Sequence, residues 1–286
     1  MDPAARLREL MSRPGLLLAP GCYDGMSARL VERAGYEVAY MTGFGSAASV
    51  LGMPDTGLIS FAEMATHAGN LAAALRIPLI ADADTGYGNA VNTYRTVQAY
   101  ARAGVAGIQI EDQVSPKKCG HTKGKLVVPL DEMLGKIRAA CDARAERDIV
   151  IVTRTDARAV NGFGDALERA QAFAEAGADV IFFEAPETVE EMQTVARTVK
   201  APTLINVVKD GKTPALHADE LERMGFKIAI DPDMLFRIAA WAMQEELGRF
   251  LRERQYDAAD TRMRFAEIQD IVGFPWYYAL EEKYRA

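Results

Sequence analysis

One recurring pattern limits the folds open to this chain more than any other feature. Four times, a segment with helical periodicity ends at a glycine, and a short apolar run begins three or four positions later. Glycine adopts left-handed φ without steric cost and therefore commonly ends helices. The runs that follow are β-branched or aromatic, as in strands buried on both faces. The four glycines are Gly35, Gly104, Gly177 and Gly225.

Extending this pattern along the chain predicts eight strands that alternate with helices. The predicted strands are residues 16–20, 37–42, 77–82, 105–111, 148–154, 179–184, 202–207 and 226–231. The predicted helices include residues 61–75, 94–103, 131–147, 166–176 and 189–199. Eight such units indicate an α/β fold of the (β/α)8 TIM-barrel type. A doubly wound open sheet is the alternative, but no Gly-x-Gly-x-x-Gly motif follows a predicted strand.

Composition favours a single domain over residues 1–286 and argues against several functional classes. The chain is 49% hydrophobic and 26% charged, as expected of a globular protein. Its net charge is −7 with interspersed signs, so we expect no nucleic-acid partner. Three cysteines without disulfide-framework spacing predict reduced thiols and a cytoplasmic location. The apolar run at 16–18 is too short for a signal peptide or membrane span.

The chain continues beyond the eighth strand with more helix than a barrel needs. A long amphipathic helix is predicted at roughly 234–253, and a tail rich in aromatic residues follows it. The surplus apolar surface predicts that residues 234–286 form an extension used for oligomerisation. The alternative is that the tail packs on its own barrel.

Acidic residues follow the predicted strands at the end where barrel enzymes place their active sites. Asp82 and Asp84 point to the same side of a strand, because side chains alternate with a period of two. Several carboxylates at one mouth would repel one another, and a divalent cation would relieve that repulsion. Oxygen ligands favour Mg²⁺ or Mn²⁺ over zinc. A turn or helix cap at Asp84 is the alternative.

Other polar residues at the strand ends are suited to binding a small carboxylate. Arg154 can form a two-pronged contact with a carboxylate, although an ion pair with Glu184 or Asp156 is the alternative. Thr42 and Asn206 offer neutral hydrogen bonds. The implied substrate is a small 2-hydroxy or 2-oxo acid.

A potentially reactive loop follows the fourth strand at 111–121. It contains Lys117, Lys118, Cys119 and His121 in close succession. Nearby positive charge favours the thiolate form of a cysteine. The alternative is a solvated loop with an inert cysteine.

Three motifs together resemble the isocitrate lyase/phosphoenolpyruvate mutase superfamily over essentially the whole chain. They are Glu-Asp-Gln-Val-x-x-Lys-Lys-Cys-Gly-His at 111–121, Asp-Ala-Asp-Thr-Gly-Tyr-Gly at 82–88 and Arg-Thr-Asp-Ala at 154–157. The cysteine-containing loop is the most specific, because the lyase branch carries it. The phosphonate mutases and hydrolases and the oxaloacetate decarboxylases of the superfamily lack that cysteine.

The resemblance implies a Mg²⁺ site and assigns residues to it. Asp82 and Asp84 match the metal site, with Asp55 and Glu111 reaching the ion through water. Thr42, Gly43 and Phe44 match the substrate-carboxylate loop, where Phe44 replaces a glycine. The other matching substrate and catalytic positions are Asp82, Cys119, Gly120, Arg154, Glu184 and Asn206. The superfamily also implies an eighth helix swapped between paired subunits of a homotetramer.

The implied reaction is a retro-aldol or retro-Claisen cleavage of a 2-hydroxy di- or tricarboxylate. It would give a 2-oxo acid such as pyruvate and a second carboxylate. Tyr40 is the candidate base for the hydroxyl proton, and Cys119 is the candidate acid that protonates the carbanion. Lys117 and His121 would set the charge of the loop and help place the thiol.

The substrate is narrowed by segments outside these motifs. Residues 206–214 and the tail at 265–284 look closer to the 2,3-dimethylmalate and 2-alkylmalate lyases. 2-Methylisocitrate is the second choice, because its lyases carry an arginine where Phe265 stands. Oxaloacetate hydrolysis to acetate and oxalate is an alternative, whereas Cys119 disfavours a phosphonate mutase. A non-catalytic metabolite-binding barrel would tolerate loss of Cys119.

Overall fold

Eight parallel strands form a closed barrel, which confirms the predicted (β/α)8 fold. The computed structural model describes residues 2–120, 122, 124–256 and 262–285. Each strand pairs with its neighbour in sequence, and β1 pairs with β8 to close the ring. The strands are β1 (Leu17–Cys22), β2 (Ala39–Met41), β3 (Leu79–Asp82), β4 (Gly107–Glu111), β5 (Val150–Thr155), β6 (Val180–Phe183), β7 (Thr203–Asn206) and β8 (Ile228–Asp231).

Helices connect the strands and continue beyond the barrel. They are α1 (Pro3–Ser12), α2 (Gly25–Arg33), α3 (Gly43–Ser46), α4 (Phe61–Ala74), α5 (Ala90–Arg102), α6 (Leu130–Ala143), α7 (Phe163–Glu175), α8 (Val189–Thr198), α9 (Ala218–Met224), α10 (Met234–Glu253), α11 (Phe265–Val272) and α12 (Phe274–Tyr284). A π-helical turn (Ala47–Leu51) continues α3, and a 3-10 turn (Ala157–Ala159) follows β5. Gly35, Gly104, Gly177 and Gly225 all have φ between 86° and 105°, so the glycine pattern marks helix ends as predicted.

Helix α1 seals the end of the barrel at which the strands begin. Its Leu7 and Leu10 are fully buried and belong to the apolar cluster inside the barrel. Arg8 anchors the helix through ion pairs of 2.9 Å with Asp148 and Asp179, which precede β5 and β6. Because this end is closed, ligands must enter at the carboxyl ends of the strands.

Helices α10 and α11, which follow β8, differ in how much they pack against the barrel. None of the 20 described residues of α10 is buried, and Trp241 on this helix is 66% exposed. In contrast, α11 packs on its own barrel, where Ile271 is buried and Asp270 pairs with Arg33 of α2 at 2.7 Å. The alternative expectation of a self-packed tail therefore holds for α11. Within the described residues, no helix is both long and apolar enough to cross a membrane.

Candidate active site

A pocket opens at the carboxyl end of the barrel, as expected from the positions of the polar residues. It holds about 510 Å³ of empty space, counted out to its open mouth. The strand ends and the loop after β4 form its walls. The lining residues are Tyr40, Thr42, Gly43, Phe44, Asp55, Asp82, Lys117, Cys119, Gly120, Arg154, Phe182, Glu184, Asn206, Val208, Ile230, Pro232 and Asp233.

A buried lysine pairs with the acids on the β3 side of the pocket. Lys117 Nζ lies 2.5 Å from Asp55 Oδ1 and 2.9 Å from Asp84 Oδ1. The backbone of Asp84 has φ of 47°, in the left-handed region that is unfavourable for residues other than glycine. A turn at Asp84 is therefore present, but its side chain also belongs to the charged cluster at the mouth.

Burial makes full ionisation of this acidic cluster costly. It raises the pKa of Asp82 to about 6, against the opposing effect of Lys117. Burial also raises the pKa of Asp84, and it raises the pKa of Glu111 well above its usual value despite Arg154. Burial lowers the pKa of Lys117, but the surrounding acids together hold that pKa well above its usual value. Positive charge at this position therefore stabilises the carboxylates.

The turn after β2 brings the main chain against the same cluster. A Cβ at Gly43 would lie 2.3 Å from Asp82 Oδ2, so no side chain fits there. Thr42 caps α3, because its Oγ1 accepts a hydrogen bond of 3.2 Å from the amide of Gly45. The first amides of a helix have no acceptor within the helix and favour anions. Gly43 thus lies against Asp82 and Phe44 lines the same pocket, where a substrate carboxylate could bind.

A second charged cluster surrounds Arg154 at the end of β5. Its Nε and Nη2 donate to the two carboxylate oxygens of Asp156, both at 2.9 Å. Glu111 lies 3.5 Å and Glu184 lies 3.8 Å from the guanidinium, and the ring of Phe182 packs on it. Burial lowers the pKa of Arg154, but the three acids raise that pKa well above its usual value. The guanidinium is thus permanently charged and held in one orientation.

Short-range bonds hold the loop that follows β4 at its base. The amide of Val114 donates to the carbonyl of Leu126 at 2.8 Å. The side chain of Gln113 donates to Glu111 Oε1 at 2.9 Å and to the carbonyl of Lys118 at 2.8 Å. These contacts hold residues 111–118 together, since Gln113 bonds to both Glu111 and Lys118.

The tip of this loop brings Cys119 and Gly120 into the pocket. A Cβ at Gly120 would lie 2.3 Å from Arg154 Nη2 and 2.5 Å from Glu184 Oε1, so the main chain packs directly on the second cluster. Cys119 is half-buried and lines the same pocket. Lys118 Nζ donates to the carbonyl of Gly124 at 2.8 Å, so its ammonium is engaged within the loop.

The structure brings most of the predicted site residues together. Twelve of them line the pocket: Tyr40, Thr42, Gly43, Phe44, Asp55, Asp82, Lys117, Cys119, Gly120, Arg154, Glu184 and Asn206. Asp84 and Glu111 are buried behind this lining and pair with Lys117 and Arg154, respectively. His121 lies outside the described residues, and its role stays a prediction.

Comparison with known proteins assigns the chain to a family. Residues 7–251 match the sequence profile of the phosphoenolpyruvate phosphomutase family. The chain is also 46% identical to 2,3-dimethylmalate lyase of Eubacterium barkeri, over 99% of both proteins. The chain belongs to the phosphoenolpyruvate mutase/isocitrate lyase superfamily. The resemblance of its three motifs is thereby confirmed.

Other superfamily members are similar in both sequence and structure. A 2-methylisocitrate lyase of Aeropyrum pernix is 45% identical over 96% of this chain and 89% of its own length. A crystal structure of 2,3-dimethylmalate lyase aligns with a TM-score of 0.95 at 36% identity, covering 100% of this chain and 96% of that one. A structure of oxaloacetate acetylhydrolase with 3,3-difluorooxalacetate aligns with a TM-score of 0.94 at 35% identity, covering 99% and 97%.

Sequence reasoning missed a glutamine that connects two residues of this superfamily site. Gln109 is fully buried on β4, where its Nε2 donates to Asp82 Oδ1 at 3.1 Å. The hydroxyl of Tyr40 donates to its Oε1. Burial raises the pKa of Tyr40 well above its usual value, and Asp82 raises it further. The one available signal was a polar residue within the apolar run at 105–110.

The acidic cluster has the donor chemistry of a site for a hard divalent cation. Within the described ranges, no three His, Cys, Asp or Glu side chains already converge as metal ligands. However, Asp55 Oδ1 and Asp84 Oδ1 are buried and converge on the Lys117 ammonium, and neither accepts a hydrogen bond from any other described group. Carboxylate oxygens in this state suit Mg²⁺ or Mn²⁺. The residues present therefore fit such an ion.

Proposed function

We propose that this superfamily member is a carbon–carbon lyase that cleaves a small 2-hydroxy carboxylate. One observation carries the proposal: Cys119 lines the same pocket as Asp82 and Arg154. A thiol, an acidic cluster and a fixed guanidinium are the groups that such a cleavage needs. The similarity to named lyases over nearly the whole chain supports this interpretation.

The two charged clusters are proposed to bind different parts of the substrate. Asp82 and Asp84, with Asp55 and Glu111 behind them, are proposed to hold Mg²⁺ or Mn²⁺. Such an ion supplies Lewis-acid stabilisation of negative charge on substrate oxygens. The amides of Gly43 and Phe44 would receive the adjacent carboxylate. Arg154, with Glu184 beside it and Asn206 in the same pocket, would bind the carboxylate at the far end of the substrate.

Two proton transfers accompany cleavage of the C2–C3 bond. A base removes the 2-hydroxyl proton, and the bond electrons move onto C3, where the neighbouring carboxylate stabilises them. The Cys119 thiol then gives its proton to C3 as general acid. The hydrogen bond from Tyr40 to Gln109 argues against Tyr40 as the base, because the phenol is held as a donor. A positioning role for Tyr40 is better supported.

The charges of the pocket favour a dicarboxylate over a tricarboxylate. Among the lining residues that the structure describes, Arg154 is the one arginine. Five apolar residues also line the pocket: Phe44, Phe182, Val208, Ile230 and Pro232. An alkyl substituent would bury apolar surface there. We therefore favour a 2-alkylmalate such as 2,3-dimethylmalate, with 2-methylisocitrate second.

Hydrolysis of oxaloacetate is the second candidate function. The structural similarity to oxaloacetate acetylhydrolase, with a TM-score of 0.94 at 35% identity, supports this candidate. Oxaloacetate is also a small dicarboxylate and would make the same contacts with Arg154 and the acidic cluster. A phosphonate mutase reaction offers no use for the Cys119 thiol.

One assay distinguishes these functions. The protein is incubated with Mg²⁺ and 2,3-dimethylmalate, 2-methylmalate, 2-methylisocitrate or oxaloacetate, and 2-oxo acids, acetate and oxalate are measured. We expect a 2-oxo acid from a malate derivative. Acetate and oxalate from oxaloacetate alone would favour the hydrolase, whereas no product from any compound would refute both.

We also propose that the protein is a cytoplasmic homotetramer of helix-swapped dimers. The odd number of cysteines supports a reducing compartment. The exposed apolar side chains of α10 support a neighbouring subunit as its partner: Trp241 at 66%, Leu247 at 69% and Leu251 at 81% exposure. Residues 234–286 would then be an assembly segment of a single-domain chain. Light scattering on the purified protein tests the mass.

A further inference from the structure

A second buried lysine lies beneath the loop that carries Cys119. The side chain of Lys125 is 1% exposed. Its Nζ donates to the carbonyl of Gly120, and it donates to Asp156 Oδ1 at 2.6 Å. One ammonium therefore connects the main chain next to Cys119 with a carboxylate at the carboxyl end of β5.

That carboxylate is the same one that orients the substrate-binding arginine. Asp156 Oδ1 accepts from both Lys125 and Arg154 Nη2, and its Oδ2 accepts from Arg154 Nε. The backbone of Asp156 is also fixed, because its amide donates to Asp112 Oδ1 at 2.8 Å. Asp156 is fully buried, so these partners replace the water that would otherwise solvate it.

The charge balance of this network of buried groups depends on Lys125. Burial raises the pKa of Asp156, but Arg154 and Lys125 outweigh that effect and leave the pKa below its usual value. Arg154 alone would have to neutralise Asp156 while it also faces Glu111 and Glu184. With Lys125 present, the guanidinium can bind a ligand through its remaining N–H donors without leaving Asp156 uncompensated.

We propose that Lys125 is a positioning residue that aligns the Cys119–Gly120 main chain with the Arg154 clamp. It acts through its bonds to the carbonyl of Gly120 and to Asp156, not through contact with substrate. The role of the two aligned groups in catalysis rests on the proposed lyase function. The geometric part does not, because it concerns only where the thiol lies relative to the guanidinium.

A chemical probe of Cys119 tests the geometric part without turnover. The alkylation rate of Cys119 by iodoacetamide is followed by mass spectrometry in wild-type protein and in Lys125→Met. Lys118→Met is the matched control, because Lys118 lies in the same loop and its ammonium donates to the carbonyl of Gly124, not to Gly120 or Asp156. Loss of the two charge-assisted bonds of Lys125 should loosen the segment and speed alkylation about tenfold. The control loses a positive charge next to Cys119 but keeps both bonds of Lys125, so it should be alkylated no faster than wild type.

Kinetics test the catalytic part with the substrate that the wild type turns over. Lys125→Met should lower kcat and raise KM, each about tenfold, because both the thiol and the clamp lose their alignment. Lys125→Arg keeps the charge and should recover part of both. A residue that serves only the stability of the fold would lower the melting temperature but leave kcat and KM of the folded protein unchanged.

The results for Lys125 can be distinguished from a failure of the proposed function. Wild-type alkylation and kinetics in a folded Lys125→Met protein overturn the proposal. If Lys125→Met does not fold, Lys125→Gln keeps one hydrogen-bond donor and should show the same direction of change; failure of both to fold also overturns it. If the wild type cleaves none of the substrates, the proposed function fails. The alkylation rates then still decide whether Lys125 positions the loop that carries Cys119.

Discussion

The mouth of the barrel and helix α10 depart from ordinary protein surfaces in opposite ways. The mouth buries charged groups, with Asp82, Lys117 and Glu111 all 5% exposed or less. Helix α10 instead exposes large apolar side chains, with Leu251 at 81%. Each arrangement is costly for an isolated chain, since buried charge needs compensation and exposed apolar surface favours association. The first is suited to a small charged ligand and the second to another protein surface.

Removing the thiol tests the chemistry of the mouth and should have the largest effect. We expect Cys119→Ala to lower kcat by 10²- to 10⁴-fold, roughly the contribution of a general acid, with the melting temperature almost unchanged. Steady-state kinetics and thermal unfolding measure the two effects. Cys141→Ala is the control, because Cys141 bonds to the carbonyl of Gly177 on the outside of the barrel. Full activity of Cys119→Ala would remove the thiol from the mechanism.

Adding a methyl group at the loop tip tests how closely the mouth is packed. Gly120→Ala places a Cβ against Arg154 and Glu184, so the loop must shift away from the pocket. A displacement on the order of 1 Å should lower kcat/KM about 10²-fold. Gly135→Ala, in α6 with no atom within 4 Å of its Cβ, is the matched control and should be active. Equal activity of both variants would contradict the packing argument.

Charging the apolar face of α10 tests the other half of the comparison. Trp241→Asp should weaken subunit association about tenfold or more, because large aromatic side chains dominate protein interfaces. Light scattering over a dilution series measures the mass. Ala242→Asp adds the same charge at an exposed position about 100° around this helix, away from Leu247 and Leu251, and should leave the assembly intact. Loss of assembly in both variants would point to charge alone.

The smallest expected effect is on thermal stability, and it concerns a pair of acids at the end of β8. Burial, with a smaller contribution from Asp233, raises the pKa of Asp231 to about 6. The folded state therefore holds the proton more tightly, so the stabilisation is complete below about pH 4 and is lost as the pH rises through about 6. Asp231→Asn should melt on the order of 1–3 °C higher than wild type at pH 8, with little gain at pH 4.5. An equal gain at both pH values would exclude this cause.

The periodic features of the fold could be predicted from the sequence. Glycine at helix ends and apolar runs after them are local features, so the eight strands and the Met234–Glu253 helix appear close to their predicted bounds. The motifs also placed most of the pocket residues. Gln109 and Lys125 could not be found in this way, because their partners Asp82 and Asp156 are 27 and 31 residues away in sequence.

The sequence by itself determined the barrel, the superfamily and the set of chemical groups at the mouth. Local periodicity encodes strands and helices, and parallel strands in a barrel must end on the same side. Only the tertiary structure decided which groups touch: Lys117 lies between Asp55 and Asp84, and Gly120 packs on Arg154. Lys125 bonds to Gly120 and to Asp156. Such contacts depend on side-chain directions across several strands and on burial, which sets the pKa of each acid. The spacing of residues along the chain gives neither the directions of the side chains nor their burial.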